Sequence, residues 1–147
     1  MNKTILDFFN NQTCATICCI NSNVQPYCFS CFYVFNASEG LLYFKSSVNT
    51  DHARFLALNP VVSGTVLPDR LNKLVVKGIQ FTGVVLKAED PLAITAGKDY
   101  YKRIPMAMAM KGNVFTIKIS SVKMTDSSQI FGSKIIWERD HQACETV

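Results

Sequence analysis

Residues 40–60 read GLLYFKSSVNTDHARFLALNP. The stretch opens on a glycine, runs through an apolar and aromatic segment, and passes a polar turn into a short amphipathic segment. The apolar part, residues 41–46, is aromatic-rich and follows turn residues, which predicts a strand. Thr50 or Asp51 can cap a helix whose inner face is Ala53, Leu56 and Ala57, with Asn59-Pro60 ending it. A phosphate group needs hydroxyl and backbone N–H donors plus a cation, arranged in a turn that opens a helix. Ser46, Ser47 and Thr50 offer the hydroxyls, and His52 and Arg54 follow in the first helical turn. Taken alone, these residues leave two readings open: a phosphate cradle, and an ordinary capped helix with solvated polar groups.

Working outward toward the N-terminus, NASEG closes a hairpin into a preceding strand over residues 27–35. The turn residues NSNVQP separate that strand from TCATICCI at 13–20, whose small, β-branched and apolar content predicts a buried strand. A first helix is predicted over residues 4–10, with Thr4 as N-cap and Ile5, Leu6, Phe8 and Phe9 as its apolar face. Toward the C-terminus, VVSGTV is a fourth strand, PDRLN a turn, and residues 74–87 a long fifth strand. Gly78 and Gly83 within it predict a bulge or sharp bend. Pro91 starts a helix that continues through ITAGKDYYKRI, and MAMAM follows Pro105. NVFTIKISSVKMTD alternates as a sixth strand, and KIIWE forms a short seventh. Short strands in hairpin succession, with helices at the ends, describe a mainly β fold: a six-stranded antiparallel barrel with peripheral helices, one domain over residues 1–147.

Composition narrows the function classes. Hydrophobic residues make up 48% and charged residues 18%, which excludes a disordered chain and predicts surface buried against a second copy. The net charge of +4 comes from scattered Lys and Arg without a basic stripe, favouring an anionic small molecule over nucleic acid. MNKTILDFFNNQ lacks the apolar stretch of a signal peptide, and no later segment is long enough for a membrane span. A cytoplasmic location is therefore expected, with Cys14, Cys18, Cys19, Cys28, Cys31 and Cys144 as reduced thiols.

Other constellations carry less. Cys28-x-x-Cys31 lacks a second ligand pair for zinc, and mid-strand its two thiols point to opposite faces. No metal site is expected. Met106, Met108 and Met110, with Tyr100 and Tyr101, read as core or subunit interface. A Ser–His–Asp hydrolase has neither a GxSxG elbow nor a placed histidine, because His141 falls in the tail.

GLLYFKSSVNTDHARFLALNP, preceded by QPYCFSCFYVF and followed by VVSGTV and VKGIQFTG, resembles the pyridoxamine-5′-phosphate-oxidase-like, FMN-binding split-barrel family. DHARFLALNP, KGIQFTG, YYKRIPMA and FGSKIIWERD extend the likeness, over nearly the whole chain, to a short-chain branch with no established reaction. The resemblance implies a six-stranded split barrel that pairs into a homodimer, with FMN at the subunit interface. Ser46, Ser47, Thr50 and His52 would face the phosphate. Phe29, Ser30, Cys31 and Phe32 would border the isoalloxazine, Gln80 would approach it, and Lys134 and Trp137 would reach it from the partner.

Departures from the family pattern qualify the chemistry. The second strand opens on Cys28-Phe29 where oxidases of this family carry an Arg, and His52 stands in place of the Lys of the phosphate turn. The C-terminal Arg-x-His block that holds pyridoxamine phosphate is not recognisable, so that oxidase activity is not expected. The expected function is an FMN-binding flavoprotein running a redox reaction on a small molecule, with no catalytic acid or base assigned. The alternatives are a binding module for a flavin, haem or other planar ligand, and a cofactor-free split-barrel dimer.

Overall fold

The computed structural model describes residues 1–128 and 132–140. Helix α1 (Lys3–Asn11) leads into strands β1 (Cys14–Ile20), β2 (Pro26–Asn36) and β3 (Leu41–Ser46). Helix α2 (Asp51–Leu58), β4 (Val61–Val66) and β5 (Lys77–Val85) follow, then helix α3 (Ala96–Arg103) and a 3-10 segment (Pro105–Ala109). Strands β6 (Asn113–Asp126) and β7 (Ser133–Glu138) complete the described chain.

The sheet runs in the order β3-β2-β1-β4-β5-β6-β7, all antiparallel, and β3 also pairs with β6. That last pairing closes six strands into a barrel and leaves β7 as an addition on β6. Strand β6 can serve three neighbours because it is long: its first part pairs with β3, its later part with β5 and β7. The register with β5 slips between Thr82 and Gly83, where β6 carries one extra residue, Ser120. Gly83 is needed there, since a Cβ would come within 2.7 Å of the Lys118 carbonyl oxygen.

Barrel interior and outer cover are separate apolar layers. Ile5, Phe8 and Phe9 of α1 pack among Ile17, Phe35, Leu42, Phe44 and Phe81 of the barrel, with Phe9 stacked on Phe35 at 4.3 Å. On the outside, α3 and the 3-10 segment lay Ala96, Tyr100 and Ala107 over Val34, Leu41 and Tyr43. Residues 41–44 are therefore buried on both faces, which explains their unbroken apolar run.

Several expected boundaries move, each for a local reason. Asn2, not Thr4, caps α1: its side-chain oxygen accepts the Thr4 N–H at 2.8 Å. Strand β5 begins at Lys77 rather than 74, because its partners run out at Val66 and Asp126. Leu74 and Val76 are left exposed. Pro91 does not start a helix; Asp90 holds residues 90–94 in turns by accepting the N–H groups of Leu92, Ala93 and Ile94, and α3 begins at Ala96. Ala57 is exposed, and the buried face of α2 is Ala53 and Leu56. The tail holding His141 and Cys144 lies outside the described residues; the other cysteines are free thiols. Among the described residues, no helix is long and apolar enough to cross a membrane.

Candidate functional site

The polar turn of residues 46–52 is built by its own side chains. Thr50 caps α2 by accepting the Ala53 N–H at 3.3 Å, and its hydroxyl donates to the Ser47 carbonyl at 2.9 Å. The Ser46 hydroxyl lies 3.3 Å from the Thr50 hydroxyl and 2.7 Å from His52 Nε2. Arg54 turns away from this cluster to pair with Asp51. Beside the turn, Gly112 sits at φ +129°, and a Cβ there would come within 2.7 Å of the Ser46 carbonyl oxygen. Only glycine lets β6 start so close to the end of β3.

The His52 ring lies flat on Phe29, centroids 3.9 Å apart and planes within 10°. That contact joins the turn to the middle of β2. Burial pushes the His52 pKa below its ordinary value, against the opposing pull of Asp51. The ring is accordingly neutral for the most part near pH 7.

From this junction a cleft of about 840 Å³ opens between β2, the end of β3, the end of α1 and the residues following α3. Phe29, Ser30, Cys31 and Phe32 line one side, and Ser46, Ser47 and His52 another. Thr50 stands just behind them, bonded to Ser46. Burial pushes the Cys31 thiol up to about 12, so it is a neutral lining group and not a nucleophile. Tyr33 is likewise pushed up by burial and donates its hydroxyl to the Phe9 carbonyl at 2.7 Å.

The far wall comes from residues that sequence reading did not single out for the site. Lys45 Nζ donates to the Tyr101 hydroxyl at 2.8 Å and to the Ala107 carbonyl at 2.6 Å, and lies over the Tyr101 ring. Arg103 and Lys111 line the same cleft, as do Tyr100, Met106 and Met110. Among the described residues no Asp or Glu lines the cleft, and the fixed charges they place on its wall are positive. Strand alternation was the available signal for Lys45: it shares a face with Leu41 and Tyr43, the face that α3 covers.

Three expected residues lie elsewhere within the chain. Gln80 lines a separate outer groove of about 550 Å³ together with Cys18, Cys28 and Lys123. Lys134 and Trp137 lie on β7, opposite Thr125 and Val122, outside the cleft. Trp137 packs against the barrel core, under the Arg139 guanidinium at 5.5 Å. Arg139 in turn donates to the carbonyls of Ile119, Glu39 and Gly40, anchoring the chain after β7.

Solved structures place this architecture in the split-barrel class. The structure of a haem-binding protein from Mycobacterium smegmatis superposes with a TM-score of 0.74 at 14% identity, over 94% of this chain and 59% of that protein. A pyridoxamine 5′-phosphate oxidase-related, FMN-binding protein from Nostoc punctiforme gives 0.70 at 9% identity, over 95% of this chain and 90% of that one. At such identities the likeness is one of fold. No protein-family model matches the sequence. A UPF0306 protein of Photorhabdus laumondii is 33% identical over 132 residues, 90% of this chain and 92% of the relative. The chain belongs to the UPF0306 family.

Proposed function

We propose that the chain is a homodimeric flavoprotein, a single split-barrel domain that binds FMN non-covalently in the 840 Å³ cleft and serves redox chemistry on a small molecule. The observation that carries this reading is convergence: a hydroxyl-rich helix start, an aromatic strand and three cations line one cavity that, among the described residues, no carboxylate lines. The donor set suits the cofactor. Ser46, Ser47 and the first N–H groups of α2 would hold the phosphate, with Thr50 positioning Ser46. Lys45 and Lys111 would supply the positive charge that a mostly neutral His52 does not. Phe29 to Phe32 would lie along the ring system, and the volume falls within the roughly 300–1,000 Å³ of ordinary cofactor pockets. When bound, the flavin supplies the electron chemistry, and the protein supplies orientation and electrostatics. Lys134 and Trp137 would contribute only across a subunit interface, and Gln80 lies outside the cleft.

A haem reading is the second, favoured by His52, Met106 and Met110 lining the same cleft, since His and Met are haem-iron ligands. Absorption spectra of the purified protein, alone and titrated with FMN, riboflavin and haemin, separate the two. Saturable FMN binding tighter than riboflavin is expected, with reduction of the bound flavin by NADH or NADPH and a dimeric mass by light scattering. A Soret band shifted by His52→Ala, with no flavin binding, would overturn the proposal in favour of haem. Binding of neither ligand would leave a cofactor-free barrel.

A further inference from the structure

The outer groove holds a pair of thiols that the cleft does not use. Strands β1 and β2 run antiparallel in a register that sets Cys18 directly opposite Cys28. The hydrogen bonds flanking this ladder fix the type of the pairing. Tyr33 N–H donates to the Thr13 carbonyl at 3.1 Å, and Asn21 N–H to the Gln25 carbonyl at 2.9 Å, so 13–33 and 21–25 are hydrogen-bonded pairs. Such pairs alternate along an antiparallel ladder, which makes Cys18–Cys28 a non-hydrogen-bonded pair. Opposed Cα atoms there lie about 4.5 Å apart with side chains on the same face, inside the roughly 4.4–6.8 Å that a disulfide requires. The next pair of this type toward the β1 N-terminus, Thr16–Ser30, already shows its side chains meeting: the hydroxyls are 3.2 Å apart.

Among the described residues, no other cysteine is so placed. Cys14 faces Phe32, Cys31 faces Ala15, and Cys19 points into the barrel, its thiol 3.5 Å from the Tyr27 carbonyl. Cys28 is exposed and Cys18 half-buried, and both line the groove beside Lys123 and Gln80. Hydrogen bonding with Cys18, then burial, pushes the Cys28 thiol up, while the Cys18 thiol also reaches the Cys19 carbonyl at 3.8 Å. We infer that Cys18 and Cys28 form an oxidation-sensitive pair that closes into a cross-strand disulfide on meeting a low-molecular-weight disulfide, RSSR. One thiolate of the pair attacks RSSR, forming a mixed disulfide and releasing the first RS⁻. The second thiolate attacks the protein sulfur of that bond and releases the second. Two electrons and two protons pass to RSSR, giving two RSH, and the reverse exchange with a reducing thiol reopens the bond. Exposed and strained disulfides are the labile, regulatory ones. This one would lock β1 to β2 one residue from Phe29 and its stacked histidine.

The test exposes the full-length reduced protein to glutathione disulfide, followed by alkylation under denaturing conditions, intact mass and chymotryptic mapping. Wild type should lose two thiols per chain to one bond within the chain, mapped to Cys18 and Cys28 and reversed by dithiothreitol. The bond should be absent in Cys18→Ser and Cys28→Ser, and retained in Cys19→Ser and Cys31→Ser. Unchanged thiols, a stable glutathione adduct on one cysteine, a bond between chains, or a bond mapped to another pair would each overturn it.

Discussion

The two walls of the cleft are held in place by different means. The wall at residues 46–52 is fastened by bonds that span no more than six residues: Ser46 to Thr50 and His52, Thr50 to Ser47 and Ala53. The wall at residues 100–111 depends on Lys45, which reaches Tyr101 and Ala107 at sequence separations of 56 and 62. A local wall can form with its own helix turn. A long-range wall exists only after β3 and α3 have packed together, and one ammonium group then satisfies both a hydroxyl and a carbonyl. The cleft thus has one preformed side and one side assembled by tertiary structure. Changes to the second wall should be felt further from the mutated residue.

Lys45→Met is the harshest trial of that contrast. It keeps the apolar stem and removes the charged donor to Tyr101 and Ala107. Bonds to charged groups are worth about 1.5–3 kcal/mol. The variant should lose about 2 kcal/mol, roughly 4–8 °C in Tm for a chain of this size. Amide exchange should quicken across residues 100–111 and stay unchanged across 46–52. Equal protection in both segments would show that α3 packing alone holds the far wall. Thr50→Ala makes the reciprocal test, since it removes the cap of α2 and the bond to the Ser47 carbonyl. About 1 kcal/mol is expected, with faster exchange confined to the start of α2. Loss of protection near Ala107 would couple the two walls and break the contrast.

The same division governs what could be read from the sequence. The closed barrel was legible because its strands are short, alternating or fully apolar, and separated by turn residues; β3, β4 and β6 begin and end where those signals place them. The hydroxyl turn was legible because capping chemistry is local, and Thr50 does cap α2. The far wall was not. Residues 91–95 look helical by composition, yet Asp90 draws three following N–H groups into turns. Nor does the sequence show that the lysine ending an aromatic strand will be covered by a helix more than fifty residues away. Arg103 and Lys111 become site residues only because the chain after α3 returns across the cleft mouth. Of the cations lining the cleft, Lys45 belongs to the local segment, and Arg103 and Lys111 come from outside it.

Thr116 offers a gentler probe of the second wall, with an effect of opposite sign. It is buried, pairs with Tyr43 on β3, and its hydroxyl has no partner among the described residues. Replacing a buried unpaired hydroxyl by a methyl of similar shape removes a desolvation penalty. Thr116→Val should therefore raise stability, by less than about 1 kcal/mol, in a denaturant titration at unchanged slope. A clear loss would show that the hydroxyl is paired in solution, through a bound water or a shifted neighbour, and that this wall too has polar support at its base.

The smallest effect concerns the charge state of the first wall. Burial lowers the pKa of His52 in the folded chain below the ordinary value near 6.5 that it recovers on unfolding. Between those two values the unfolded chain takes up a proton that the folded chain refuses, so stability rises with pH across the window. The contribution is fully present above about pH 6.5 and is lost as pH falls through the folded-state value. Against His52→Asn, which cannot titrate, wild type should lose more stability between about pH 7.5 and 5.5, read as a larger drop in urea midpoint. A bound phosphate beside the ring would favour the protonated form, so saturating FMN should shrink that difference while leaving the variant's profile in place. The opposite result, wild type gaining on the variant at low pH without any ligand, would mean that the ring is protonated in the folded protein and held by an anionic partner. Both walls of the cleft would then carry fixed positive charge, and His52 would regain the place of the missing lysine.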